Sequence, residues 1–252
     1  MPSAATAQIA ASTLRTPTVA MRQHGAVSRT ALERVLAAGR AAVVSGRHQT
    51  EGEPAASGRW GPSAVFLPSG ALAASLARVT DEAVEALGDG HWRSGGPGRA
   101  HITVRALEPY AESLPRDRAG RYLAAMTRAL LDVGPVELEL RGVGLSPGGV
   151  MACGRSADAA ADRLRQRLGA ALGHDGWFEH AAFESGRDPI WYCTLVHFTG
   201  PISDADKLVS WVDQRIDLPV GTATFDSMAL CRWSFDGCAM APRVIASAPS
   251  SA

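Results

Sequence analysis

Two short strings of the sequence, His101-Ile102-Thr103-Val104 and His197-Phe198-Thr199-Gly200, share the order histidine, apolar residue, threonine. An imidazole titrates near neutral pH, so one histidine of a pair can accept a proton while the other donates one. A threonine hydroxyl two residues on can donate a hydrogen bond to an oxygen where negative charge accumulates. Two such strings facing each other would hold a phosphodiester from both sides. This chemistry needs no metal ion and no other cofactor.

Both strings fall on predicted strands, AHITVRALEPY and IWYCTLVHFTG. Alternate residues of a strand point to the same face, so His101 is expected to share a face with Thr103, and His197 with Thr199. One His-x-Thr string is a weak signal, because it arises readily by chance. Two of them, at equivalent places in two similar halves, favour catalysis over the alternative of strand histidines bonded to backbone carbonyls.

The same alternation brings two further side chains to these faces. Arg105 is expected beside Thr103, where a guanidinium could bind a phosphate, and the alternative is an arginine on a solvated rim. Trp191 shares parity with His197 and could stack on a nucleobase, and the alternative is an ordinary packed aromatic. We therefore predict His101 and His197 as catalytic residues and Thr103, Thr199 and Arg105 as phosphate ligands, with Trp191 as a candidate base-stacking residue.

Composition argues against several other functions. Lysines plus arginines equal aspartates plus glutamates at 25 each, so no strong positive field attracts duplex DNA. The four cysteines form no CxxC pair and lack zinc-site spacing. No apolar run approaches the length of a membrane span, and the first residues do not resemble a secretory signal. We expect a cytoplasmic protein that binds a small nucleotide or an RNA end, with no membrane partner, and that is a monomer.

The order of predicted elements indicates an α/β or α+β protein. Each half of the chain contains a strand, a helix, a histidine-bearing strand, a second helix and a further strand, which suggests an internal duplication. Residues 1–26 are predicted to be a disordered lead, and 27–59 an N-terminal helix with a Gly/Pro/Ser-rich linker. The main domain is expected over 60–247, with two similar lobes, followed by a disordered tail at 248–252.

The two strings resemble the H-h-[TS]-h motifs of the 2H phosphoesterases, which include the 2′-5′ RNA ligase/cyclic phosphodiesterase proteins. The resemblance covers about Trp60 to Ser247 and includes the intervening pattern VELELRGVGLSPGGVMACGR followed by a helix. It implies an α+β fold of two lobes, with two antiparallel-rich sheets facing a central groove and helices outside. Gly200 departs from the pattern, since an apolar residue is usual there.

The resemblance also implies an activity. It is the hydrolysis of a 2′,3′-cyclic phosphate on a nucleotide or RNA end, or the making and breaking of 2′-5′ phosphodiester linkages, by a metal-independent cyclic phosphodiesterase or 2′-5′ RNA ligase-like hydrolase. Which histidine is the base stays open at this point. Two alternatives also stay open. One is a non-catalytic nucleotide-binding module of the same fold, and the other is a phosphoesterase for a specialised nucleotide metabolite.

Overall fold

The computed structural model describes residues 18–52, 59–176 and 190–250, with side chains from Thr30 onward. This part of the chain contains nine strands: β1 (Ser63–Phe66), β2 (Trp92–Arg93), β3 (Ile102–Ala106), β4 (Val136–Ser146), β5 (Gly149–Ser156), β6 (Trp191–His197), β7 (Pro219–Phe225), β8 (Ser227–Phe235) and β9 (Met240–Pro249). The helices are α1 (Thr18–Val44), α2 (Gly70–Leu87), α3 (Arg116–Val133), α4 (Ala160–Leu172) and α5 (Ala205–Asp213), with a 3₁₀ turn at Gly173–Gly176.

The strands form one curled antiparallel sheet in the order β7-β4-β5-β6-β3-β1-β8-β9, with β2 paired to β6. The α+β class is therefore confirmed. The two expected sheets are joined through the β3–β6 pair, where Ile102 lies opposite Cys193. β3 and β6, the strands next to the two histidine strings, are neighbours at the centre of the sheet. Beyond β6 lie β5, β4 and β7, and beyond β3 lie β1, β8 and β9. The duplication into two lobes stays a prediction.

The two faces of the sheet are used differently. On one side, Ile102, Ala152 and Cys193 belong to the main core under α2, α3, α4 and α5, and we call this side the helix face. The opposite side, which we call the histidine face, carries a smaller apolar cluster that includes Val65 and Trp233. Both faces of the central strands are therefore covered, which accounts for their continuous apolar runs.

The N-terminal region differs from the prediction for it. The expected lead at 1–26 overlaps α1, which begins at Thr18, and residues 1–17 lie outside the described part of the chain. The apolar side chains of α1, among them Leu32, Val35 and Leu36, pack against Met151 and Cys153 of β5. Those two β5 residues alternate with helix-face residues, so α1 lies on the side of the sheet opposite to the other four helices described above.

At the other end, β9 extends to Pro249, so the predicted tail at 248–252 begins inside a strand. Residues 251–252 lie outside the described part. In the described part of the chain, no helix is both long and apolar enough to cross a membrane.

Candidate active site

The two histidines lie close together on the histidine face. His101 immediately precedes β3 and His197 is the last residue of β6, and these strands are antiparallel neighbours. Both rings contact one indole: the ring centroid of Trp60 lies 6.5 Å from that of His101 and 5.0 Å from that of His197. The sheet therefore brings the two imidazoles to one site from positions 96 residues apart in the sequence.

His197 is held by a serine. Its Nδ1 lies 2.6 Å from the Ser94 Oγ, and both residues are buried. Ser94 follows β2, whose Trp92 pairs with His197 across the ladder, so the short strand brings the serine to the imidazole. Because Ser94 occupies Nδ1, Nε2 is the nitrogen left for a substrate.

The environment of His197 disfavours its charged form. Burial lowers its pKa well below the ordinary value of 6.5, and the positive charge of Arg59 and the proximity of His101 lower it further. The residue is only 7% exposed, so little solvent is present to stabilise an imidazolium. The His197 imidazole is therefore held neutral at neutral pH.

His101 is held differently, by a backbone carbonyl. Its Nδ1 lies 3.0 Å from the Arg99 carbonyl oxygen. A carbonyl only accepts hydrogen bonds, so Nδ1 carries a proton and Nε2 is the nitrogen that can exchange one. The Arg99 side chain donates two hydrogen bonds to Oδ2 of Asp236, from Nε at 3.0 Å and from Nη2 at 2.6 Å. This pair ties the loop before β3 to the β8–β9 turn and so fixes the carbonyl that orients His101.

Three tryptophans form the walls of the site. Trp233 of β8 stands 4.3 Å from the His101 ring, and Trp92 stands 6.4 Å from the His197 ring. Trp60 contacts both of these indoles, at centroid distances of 5.4 Å and 6.1 Å. The imidazoles therefore lie in a mostly aromatic enclosure, where charged hydrogen bonds are stronger than in water.

The two threonines occupy different positions. Thr103 lies within β3 opposite Val65, so it is on the histidine face with His101, as the alternation predicts. Thr199 lies two residues beyond the end of β6, outside the strand that was predicted to contain it. Its hydroxyl donates to the Gly90 carbonyl, and its backbone N–H donates to Nδ1 of His91 at 3.1 Å.

Arg105 does not lie beside Thr103, and the predicted phosphate contact is wrong for this structure. A β-bulge at Val104 makes Ala64 the partner of Arg105 while Val65 remains the partner of Thr103. A bulge places an extra residue in one strand and shifts the alternation. Arg105 therefore points to the helix face, buried against α4, where a Cβ on Gly169 would lie 2.9 Å from its Nη1.

Trp191 is likewise on the wrong face for stacking on a nucleobase. A second bulge at Leu195 pairs Val150 with Val196 but Met151 with Thr194, which reverses the parity between Trp191 and His197. The Trp191 side chain is buried on the helix face, with the Arg165 guanidinium 3.5 Å above its ring and Phe66 stacked at 6.3 Å. Its indole N–H donates to Asp162. It is a core residue.

The sequence patterns did not identify Ser94, Trp60, Trp92 or Trp233 as residues of the site. Ser94 and Trp92 lie in the glycine-rich loop before β3, a kind of loop that often flanks sites, but nothing in the pattern indicates a two-residue strand there. Trp233 lies in a strand whose pairing with β1 is not evident from the sequence alone. Trp60 was placed at a domain boundary, and only the folded structure shows it against both histidines.

Comparison with known proteins identifies the family. The family model of the 2′-5′ RNA ligase superfamily matches residues 68–237, which is more than half of the chain, so this chain belongs to that superfamily. The resemblance to the 2H phosphoesterases is thereby confirmed. A search of curated proteins finds no significant match.

One solved structure supports the fold, and two others are similar at lower TM-scores. The chain is similar to TT0787 of Thermus thermophilus, with a TM-score of 0.55, 17% identity, and coverage of 75% of this chain and 96% of that one. Escherichia coli LigT complexed with NADP⁺ matches at a TM-score of 0.44 and 13% identity, over 75% of this chain and 98% of that one. A crystal structure described as a phosphoesterase has the same values. At these identities the likeness to TT0787 shows the fold alone.

Proposed function

We propose that the protein is a metal-independent cyclic phosphodiesterase that hydrolyses nucleoside or RNA-terminal 2′,3′-cyclic phosphates. The observation that carries this proposal is the pair of imidazoles on one face, each held through Nδ1 and both in contact with Trp60. Membership of the superfamily supports the same class of reaction. The related making and breaking of 2′-5′ linkages uses the same groups and belongs to the same proposal.

The burial of His197 suggests how the roles divide. A general base must start neutral, and the lowered pKa of His197 meets that requirement. In this role Nδ1–H of His197 donates to Ser94 Oγ, and the serine hydroxyl can donate on to the Trp92 carbonyl at 3.5 Å. Nε2 then takes a proton from the attacking water. His101, whose Nδ1–H donates to the Arg99 carbonyl, acts as the acid through Nε2.

In the proposed step, a water molecule displaces O3′ from phosphorus. The water oxygen bonds to phosphorus, and the P–O3′ bond breaks. The water proton goes to His197, and His101 supplies the proton for the departing O3′, so the product is a 2′-phosphate. Thr103 and Thr199 are proposed to donate to the phosphoryl oxygens, which requires the Thr199 hydroxyl to release the Gly90 carbonyl when substrate binds.

The experiment that tests the function is turnover by the purified full chain of a panel of substrates. The panel contains 2′,3′-cyclic nucleotides, 3′,5′-cyclic nucleotides, 2′-5′ dinucleotides and cyclic-phosphate-ended RNA. We expect conversion of the 2′,3′-cyclic substrates to 2′-phosphates. Binding of these compounds without any turnover would favour the non-catalytic nucleotide-binding module instead.

A further inference from the structure

Residues 45–52 and 59–60, which we call the N-terminal segment, precede the part of the chain that matches the family. This segment extends to the two proposed catalytic histidines. After α1 the chain runs along the β4–β5 turn and the end of β6. The Gln49 N–H donates to the Pro147 carbonyl at 2.7 Å, and the Glu51 N–H donates to the Phe198 carbonyl at 2.6 Å. Phe198 directly follows His197. This segment lies outside the residues 68–237 that match the family, yet its backbone is bonded to the residue next to the proposed base.

Trp60 is fixed in an unusual conformation over the two imidazoles. Its φ of 68° is in the left-handed region, and among the described residues no other non-glycine residue has a positive φ. Such a conformation is sparsely populated and persists where the surroundings hold it, often at functional sites. Here the indole is held between His101, His197, Trp92 and Trp233. These ring contacts therefore hold Trp60 in its left-handed conformation, with the indole against both proposed catalytic groups.

Glu51 connects the parts of this segment. Its carboxylate is buried, with only 3% of the side chain exposed, and accepts hydrogen bonds from Trp60 Nε1 at 3.2 Å and from Arg59 Nη1. Burying a carboxylate costs free energy unless the group is paired and hydrogen-bonded. The two contacts therefore stabilise the buried charge, and they also position the side chains of Arg59 and Trp60. The carboxylate fixes the indole and the guanidinium beside each other at the edge of the site.

Arg59 supplies positive charge where the site needs it. Arg59 directly precedes Trp60, whose indole contacts both imidazoles, and its guanidinium is bonded to Glu51. The side chain is 55% exposed, so it lies at the edge of the site rather than in the core, and its charge also lowers the pKa of His197. Arg105, the arginine expected from the strand pattern, is on the opposite face of the sheet. A guanidinium carries five N–H donors, so it can bind a carboxylate and a phosphate oxygen together.

We infer that the N-terminal segment completes the active site: Arg59 binds the phosphate anion, Trp60 forms the wall against the nucleoside, and the Glu51 carboxylate positions both. This inference rests on the proposed function. The ligand class it implies is a nucleoside whose cyclic phosphate carries a single negative charge, with the sugar and base against the indole. The residues that the superfamily shares would then perform the proton transfers, and this segment would contribute to substrate affinity.

Kinetics of full-chain variants test the inference. Arg59→Gln is expected to raise KM for a 2′,3′-cyclic nucleotide about 10-fold to 100-fold, because a charged hydrogen bond to the phosphate is lost. Trp60→Ala is expected to raise KM, and Trp60→Phe to restore most of the affinity. Glu51→Gln is expected to raise KM by less than Arg59→Gln or Trp60→Ala, because it leaves both side chains present but less firmly positioned. Arg243→Gln and Trp211→Ala are the matched controls, since Arg243 contacts Ser234 and Trp211 packs on Arg215.

A binding measurement separates this inference from the proposed function. Titration of nucleoside 2′-phosphate, followed by NMR of the histidine side chains, is expected to show weaker binding in Arg59→Gln than in the wild type and in Arg243→Gln. If the wild type turns over no substrate but this difference in binding appears, the proposed function fails and the inference stands. Unchanged KM and unchanged product binding in Arg59→Gln and Trp60→Ala would overturn the inference, as would a higher kcat/KM in Trp60→Ala.

Discussion

Ser94 Oγ lies 2.6 Å from Nδ1 of His197, and both side chains are buried in the strand-loop junction that brings them together. Imidazole orientation and tautomer are set by the partner of the nitrogen that does not react. We therefore propose Ser94 as a positioning residue, which would act on the proposed reaction through His197.

Replacing Ser94 by alanine tests this role. Loss of the partner leaves Nδ1 buried and poorly oriented, so kcat is expected to fall about 10-fold to 100-fold with little change in KM. Ser203→Ala is the control, since it removes a serine bond to the Leu87 carbonyl away from the imidazole. Equal kcat values in Ser94→Ala and the wild type, with the fold intact by circular dichroism, would remove Ser94 from the mechanism.

The two histidines are expected to act as one unit. His101→Ala and His197→Ala should each reduce kcat/KM by about 10² to 10⁴, and the double variant should be little worse than the more damaging single one. Multiplication of the two losses in the double variant would contradict a shared transition state. His174→Ala, at an exposed position in the 3₁₀ turn, is expected to be neutral.

The proposed chemistry uses imidazoles and hydroxyls, so it should not depend on a divalent ion. We expect turnover of a 2′,3′-cyclic nucleotide to survive dialysis against EDTA, measured against a sample dialysed in buffer alone. Activity that disappears in EDTA and returns with one added divalent ion would reject the metal-independent mechanism.

The two threonines are expected to differ. Thr103→Val should cost about 1.5–3 kcal/mol of transition-state stabilisation, the value of a hydrogen bond to a charged oxygen. Thr199→Val should cost less, because its hydroxyl must first give up the Gly90 carbonyl. The ratios of kcat/KM between each variant and the wild type measure both costs. The reverse order would show that Thr199 carries the principal phosphoryl contact.

The sequence predicted the parts of this site that depend on strand periodicity within a few residues. His101 and Thr103 share a face because the pleat is regular between them, and the order of elements indicated the α+β class. Strand alternation did not predict which face the side chains point to beyond the two β-bulges. Val104 and Leu195 each add one residue to a strand, so Arg105 and Trp191 lie on the opposite face from the one that simple alternation assigns. Nothing local in the sequence marks either bulge, and both follow from pairing with distant strands.

The N-terminal segment shows a second limit. Its Gly/Pro/Ser-rich composition predicts a linker, yet Glu51 and Trp60 contact the site. The buried Glu51 carboxylate bonds to Arg59 and Trp60 within the segment. Trp60 in turn packs against His101 and His197, which are distant in the chain. Contacts of this kind depend on the complete fold, and local patterns do not report them.

The lowered pKa of His197 should appear in the pH dependence of kcat/KM. If His197 is the base, activity is lost as pH falls through its pKa in the free enzyme. Burial, the Arg59 charge and His101 all lower that pKa, so the acid limb should lie clearly below 6.5, the ordinary value for histidine. Arg59→Gln removes one of the lowering influences, so the acid limb should move to higher pH, whereas Arg243→Gln should leave it in place.

The lowered pKa of His197 also makes the stability of the fold depend on pH. The unfolded chain binds a proton at His197 near pH 6.5, while the folded chain resists it, so protonation favours unfolding and the free energy of unfolding falls as pH drops below about 6.5. One such group contributes a slope of at most about 1.4 kcal/mol per pH unit. Urea denaturation of the wild type and His197→Gln between pH 5 and pH 7.5 measures the difference. A wild-type slope no steeper than that of His197→Gln would show that His197 is not held neutral in the folded protein, and the assignment of His197 as the base would then lose its physical support.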